Sequence, residues 1–177
     1  AFRTLADGFT FTEGPAVSPE GTIFFNDIPN ERTHVYDPET GKTTVFREET
    51  DRANGLFFTP GGALIACEGG ARRITRTDHT GEVTTLAEKY DGKALNSPND
   101  LVPDGFGGFY FTDPRYGNQD DREIDVEAVY HRDRKGKITQ VASDLTKPNG
   151  IIPCPKGKTL YLADPGAETI WAYDLEG

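Results

Sequence analysis

Four oxygen-bearing side chains recur in this sequence in the same local setting. They are Glu13 in Thr12-Glu13-Gly14-Pro15, Asn54 in Ala53-Asn54-Gly55, Asn99 in Ser97-Pro98-Asn99-Asp100 and Asn149 in Lys147-Pro148-Asn149-Gly150. The intervals between them are 41, 45 and 50 residues. One carboxylate and three carboxamides brought to a common axis would make an all-oxygen environment. That suits a hard cation such as Ca²⁺ or Mg²⁺ rather than a thiolate or imidazole site. Taken singly, Asn-Gly and Glu-Gly-Pro are turn chemistry. Their common phase assigns Glu13, Asn149 and Asn99 to a metal site. For Asn54 a turn role and a role near the site stand level.

Other constellations are weaker. Ser occurs only at 18, 97 and 143, with no Gly-x-Ser-x-Gly elbow, and Ser97 reads as positioning its loop. His34, His79 and His131 lack the spacing of a zinc helix. His34 and His131 are expected on strands toward the outside, in solvated roles. Asp120, Asp121, Glu123 and Asp125 lack the Gly and terminal Glu of an EF-hand. They read as a solvated loop, long enough for a lid. Arg72 and Arg73, after Glu68-Gly69-Gly70, read as surface charge or as steering an anionic or hydroxylated substrate. Cys67, in an apolar run, reads as a small buried hydrophobe. With Cys154 alone beside it there is no disulfide framework.

The elements that must position the four residues repeat with them. Four apolar runs end in an acid: Ile23 to Asp27, Leu64 to Glu68, Phe109 to Asp113 and Leu160 to Asp164. Each follows a Pro/Gly turn (Ser18-Pro19-Glu20-Gly21, Thr59-Pro60-Gly61-Gly62, Pro103-Asp104-Gly105, Pro155-Lys156-Gly157), and a short strand precedes each turn. A third strand ending in Asp37, Asp78, Asp133 or Asp174 comes next, and a fourth follows Gly41, Gly81 and Gly136. The runs are β-branched and aromatic with turn signals between, and no stretch sustains a 3.6-residue period. Four strands per unit at this spacing predict propeller blades. A β-sandwich also spaces strands regularly, but has no reason to repeat turn and strand chemistry in phase. In a propeller the innermost strand of each blade lines the central channel, so equivalent residues form a ring at one mouth. The polar insert 118–127 reads as a surface loop between strands two and three.

The expected fold is therefore all-β, a six-bladed β-propeller of which this chain supplies about four blades. Residues 1–8 resemble the fourth strands 83–88 and 138–143, and read as an outer strand of a closing blade. Blade one is expected over 9–50, blade two over 51–92, blade three over 93–147 and an incomplete blade four over 148–177. The chain starts at Ala1 and contains no Met among its 177 residues. It is expected to be part of a ring of roughly 270 residues. Net charge is −10, without the basic footprint of a nucleic-acid binder or a polybasic membrane patch. No run approaches the roughly 18 apolar residues of a membrane span. A soluble protein is expected, cytoplasmic or periplasmic, and the sequence does not choose between them.

Several motifs together resemble the regucalcin/gluconolactonase family: Thr12-Glu13-Gly14-Pro15, Ala53-Asn54-Gly55-Leu56, Cys67-Glu68, Asn96-Ser97-Pro98-Asn99-Asp100, Phe111-Thr112-Asp113-Pro114-Arg115-Tyr116-Gly117 and Lys147-Pro148-Asn149-Gly150. The resemblance spans essentially the whole chain, in family order. It implies a six-bladed propeller with one divalent cation, Ca²⁺ ahead of Zn²⁺, Mn²⁺ or Mg²⁺. It also implies metal-dependent hydrolysis of sugar lactones to aldonic acids. By the same resemblance Glu13 and Asn149 match metal ligands, and Asn99 matches a position touching substrate or metal-bound water. Asp100, Arg72 and Tyr116 are assigned to substrate. The family's Asp, ligand and general base, has no match and is expected beyond Gly177. Asp164 and Asp174 stand on the wrong strands to replace it. Gly70 stands where many relatives carry His. Two rival readings remain: a propeller esterase or organophosphatase, and a non-catalytic calcium-binding or protein-interaction propeller. The implied partner is a small sugar lactone, with no nucleic acid or membrane. The full-length protein is expected as a monomer or small oligomer, and this fragment alone to turn over little.

Overall fold

The computed structural model describes residues 2–155 and 157–175; Lys156 of the fourth Pro/Gly turn lies outside them. The first sheet runs β1 (Thr12–Val17), β2 (Ile23–Asp27), β3 (Arg32–Asp37), β4 (Lys42–Glu48). The second runs β5 (Ala53–Phe58), β6 (Leu64–Glu68), β7 (Arg73–Thr77), β8 (Val83–Ala87), followed by a small hairpin of β9 (Lys89–Tyr90) and β10 (Lys93–Ala94). The third is β11 (Leu101–Pro103), β12 (Phe109–Asp113), β13 (Glu127–Arg132), β14 (Ile138–Leu145). The fourth is β15 (Ile151–Pro153), β16 (Thr159–Asp164), β17 (Thr169–Asp174). Within every sheet the strands pair antiparallel in chain order, and the inner strands β1, β5, β11 and β15 lie side by side. These are four blades around one axis.

Local chemistry explains the meander. The Asp that closes a third strand turns the chain by accepting backbone N–H groups two to four residues on: Glu39 at Asp37, Thr80 and Glu82 at Asp78, Lys135 and Lys137 at Asp133. This is the side-chain mimic of a backbone turn. Between blades the sheets share apolar faces. Phe24 meets Leu56, Leu64 and Ala66 between the first and second. Ile65, Ile74, Phe109, Phe111 and Tyr130 pack between the second and third, and Val129 meets Ile151, Leu160 and Leu162 between the third and fourth. Cys67 is wholly buried in the middle layer.

Near the axis, main chain meets main chain. A Cβ on Gly14, whose φ is +60°, would lie 1.8 Å from the Asn54 carbonyl oxygen. One on Gly55 would lie 2.8 Å from the Asn99 carbonyl oxygen. The Gly55 N–H donates to that same oxygen at 2.8 Å. Glycine follows the mouth residue in both blades because no larger residue lets adjacent inner strands approach this closely.

Residues 2–8 pair with no strand here; a strand needs a ladder partner, and the closing blade to which they are assigned is not among the described residues. Thr4, Leu5 and Ala6 instead line a concavity with Pro15, Ile23 and Phe25 of the first blade. Two expectations, both on histidines, need correction. His34 is not solvated: it is 9% exposed, stacked on Phe25 and edge-on to Phe9. Burial holds its imidazole below the usual pKa, with the Asp27 charge opposing and Arg32 adding to the effect. His131 is partly buried and shares a 2.8 Å hydrogen bond with Asp104. Third strands are covered by their neighbours, so their inward residues face packing rather than water.

Candidate functional site

Glu13, Asn54, Asn99, Asp100 and Asn149 line one cavity of about 250 Å³, with Gly14, Pro15, Leu56 and Gly150 completing its wall. In the first blade Glu13 pairs with Asn26 and the register breaks just after it, before Ala16; in the second the break between Ala53 and Leu56 takes Asn54 itself off the ladder. Such bulges re-aim side chains. In the third and fourth blades the mouth residue stands just before the inner strand. Its amide N–H is still paired: Asn99 donates to Thr112 O and Asn149 to Ala163 O.

The donor atoms are largely uncommitted. Among the described residues the Glu13 carboxylate accepts only its neighbour's N–H, at 3.3 Å from Gly14. Asn99 is 6% exposed, yet among the described residues no hydrogen bond reaches its carboxamide. Its carboxamide opens onto the cavity, where it is free to meet a ligand. Asp100 is different: its carboxylate accepts Leu101 N–H at 2.9 Å and Ile151 N–H at 3.0 Å, tying the third inner strand to the fourth. Burial pushes its pKa up, the two amide donors oppose this, and the Glu13 charge adds to the rise. Asn149 donates from Nδ2 to the Tyr116 hydroxyl at 3.0 Å, which puts Tyr116 on the rim.

Arg72 does not reach the cavity. Its guanidinium donates to Leu95 O, Ala94 O and Asp121 O and pairs with the Asp121 carboxylate at 3.2 Å. Asp121 also pairs with the buried Arg115, and Glu123 accepts Ala94 N–H. The four acids of the insert are exposed, as expected of a solvated loop, and Asp121 and Glu123 also tie it to blade two. Arg73 is held by Glu68 and Asp51.

The acids ending the second strands have a role that the repeat marks without explaining. Asp27 accepts the N–H groups of Thr10 and Phe11, Asp113 those of Asn96 and Ser97, Asp164 those of Thr146 and Lys147. In each blade these are the residues three and two before Glu13, Asn99 or Asn149. The clamp fixes the segment that delivers the mouth residue, and each acid follows its mouth residue by 14 or 15 positions. That constant offset was the signal available in the sequence. Burial raises the Asp113 pKa to about 7, with Glu127 adding and the two amides and Arg72 opposing. At Asp164 burial pushes the same way but the amide donors outweigh it, leaving the carboxyl below its ordinary value. Blade two departs: Glu68 is fully buried and takes Arg47, Arg73 and Thr75 instead. The residue before the acid adds a bond across the blade seam. Asn26 Nδ2 donates to Asn54 O at 2.6 Å, and Thr112 Oγ1 to Asn149 O at 2.9 Å.

Antiparallel blades around an axis, with oxygen donors facing a cavity at its mouth, define a β-propeller with a polar central site. The chain belongs to the SMP-30/gluconolactonase/LRE-like region family, whose model matches residues 11–177. It is 28% identical over 196 residues to a gluconolactonase of Zymomonas mobilis, covering 98% of this chain and 55% of that protein. A solved gluconolactonase structure from Xanthomonas campestris superposes with a TM-score of 0.92 at 33% identity, covering 98% of this chain and 61% of that one. The fold is shared with a calcium-binding regucalcin of Agrobacterium tumefaciens, at TM-score 0.75 and 21% identity over 99% of this chain and 58% of that one. The chain therefore spans little more than half the length of these relatives. No helix among the described residues is long and apolar enough to cross a membrane.

Proposed function

We propose that the whole protein is a sugar lactonase, and that these blades supply most of its metal and substrate site. The observation that carries the reading is the convergence of Glu13, Asn99 and Asn149 on one cavity with their oxygens uncommitted. Among the described residues no three His, Cys, Asp or Glu side chains gather as a cage. One carboxylate with carboxamide oxygens is nonetheless a donor set that fits a hard divalent cation, Ca²⁺ foremost. Glu13 and Asn149 would hold it, with Asn99 beside them. When bound, the cation supplies Lewis-acid polarisation of a carbonyl and acidifies water.

The chain's own groups do the rest. The Asn99 carboxamide is free to donate to the lactone carbonyl oxygen as it gains negative charge. Water adds to the carbonyl carbon, the ring C–O bond breaks, and the water's proton passes by way of a carboxylate to the departing ring oxygen. Asp100 already accepts two backbone N–H groups, which disfavours it as that base and suits it to holding the inner strands together behind the substrate. The expected base is an Asp with no match in this chain. Tyr116 stands on the rim, where its ring and hydroxyl can meet a polyol. Arg72, spent on the insert, is left out of the substrate contacts.

The test is Glu13→Gln in the whole protein, assayed by base uptake during hydrolysis of an aldonolactone with and without Ca²⁺. Metal-dependent turnover should vanish. Wild-type turnover in the variant refutes the assignment. Turnover of aryl esters or organophosphates but not of lactones would redirect it to the esterase reading.

A further inference from the structure

A carboxamide has two ends of nearly equal shape, and a half-turn exchanges them. A hard cation accepts only one, the oxygen. Among the described residues, Asn149 is the one mouth carboxamide whose end is chosen by a protein side chain, since its Nδ2 donates to the Tyr116 hydroxyl. Its Oδ1 takes no hydrogen bond from any described residue.

Tyr116 is itself held. The Lys147 ammonium lies 5.2 Å from the centre of its ring, within reach of a cation–π attraction. That ammonium donates to Arg115 O at 2.7 Å and stands 3.4 Å from Glu127 Oε1. Glu127 in turn accepts the Arg115 N–H at 2.6 Å. Arg115 is buried and donates through Nη1 to Asn96 O. The loop after β12 and the segment before β15 are thereby locked to each other, with Tyr116 and Asn149 meeting at the end of the chain of contacts.

We propose that Tyr116 is a positioning residue for Asn149: it holds Nδ2 and so presents Oδ1 to the cavity, with Lys147 fixing the tyrosine ring. This rests on the metal reading above for its purpose, but not for its geometry. The hydroxyl accepts from Asn149, so its own proton stays available to a ligand oxygen. A substrate contact and a positioning role must therefore be separated by experiment.

Two measurements on the whole protein do this. Titration calorimetry with Ca²⁺ should give Tyr116→Phe a Kd raised about two- to tenfold, the worth of one net hydrogen bond. Lys147→Met should move it the same way by less, and carries the test if Tyr116→Phe fails to fold. In NMR spectra with ¹⁵N-labelled asparagine, the Asn149 side-chain amide should be protected from exchange in the wild type and lose that protection in Tyr116→Phe. Unchanged Ca²⁺ affinity with a raised KM for lactone makes Tyr116 a substrate contact only and overturns the proposal. A wild-type protein that takes up no Ca²⁺ overturns the metal reading instead. The positioning role is then decided by the Asn149 amide, and an amide indifferent to Tyr116→Phe overturns it.

Discussion

Replacing Gly14 with alanine tests the packing of the blades where they come closest. Two costs arise. The residue sits at φ +60°, where a side chain costs about 1–2 kcal/mol. The new Cβ also falls 1.8 Å from Asn54 O and 2.7 Å from Asn54 C, whereas Cβ contacts shorter than 3.0 Å are essentially never seen. Both obstructing atoms are backbone, so no rotamer relieves the clash. One inner strand must retreat by more than an ångström, and overpacking of this kind costs about 1–3 kcal/mol. The total is about 2–5 kcal/mol, or roughly 4–20 °C in Tm for a chain of this size. Gly21 provides the control: its φ is also positive, at +88°, but nothing lies within 4 Å of an added Cβ. Gly21→Ala should cost only the conformational share, roughly 2–8 °C. Thermal unfolding followed by far-ultraviolet circular dichroism, with the single Trp171 as a second probe, reads both. Equal losses in the two variants would show that the inner strands do not press on each other as described.

Asp113 predicts a pH dependence. Its folded pKa, raised by burial to about 7, exceeds the unfolded value near 3.8. The folded state thus keeps a proton that the unfolded chain has lost, and stability should fall as pH rises from about 4 to about 7. The fall is on the order of 4 kcal/mol, and urea midpoints across that range in wild type and Asp113→Asn should differ in slope. An unchanged slope would mean that Asp113 stays ionised under its two amide donors. Arg72→Met should lower Tm by several degrees and speed hydrogen exchange across 118–126, while KM for lactone stays within about twofold. A tenfold rise in KM without loss of stability would return Arg72 to the substrate.

Much of this architecture is legible in the sequence because a propeller repeats its chemistry. The strands, their turns and the common phase of Glu13, Asn54, Asn99 and Asn149 follow from composition and spacing, and the structure brings those four residues to one cavity. What stayed hidden depends on partners far apart in the chain. Asp113 reads as the polar end of an apolar strand, and only the fold shows that it grips amides 16 and 17 residues earlier. Arg72 reads as surface charge or as a cation steering substrate until Asp121, 49 positions away, is found against it. His34 reads as outward because strand alternation distinguishes two faces but not what covers each. Tyr116 and Asn149 are 33 positions apart, and no local pattern announces their bond.

The clamping acids have an architectural consequence. Asp27, Asp113 and Asp164 each grip the amides just before their own blade's mouth residue, so a blade carries both its vertex of the ring and the bracket that holds it. The bracket holds the delivering segment by its main-chain amides and is indifferent to which side chain it delivers. A carboxylate can stand at one vertex and carboxamides at others without redesign of the support. The hub behaves as a set of interchangeable sockets, whose chemistry can be rewritten one blade at a time while the frame stays constant.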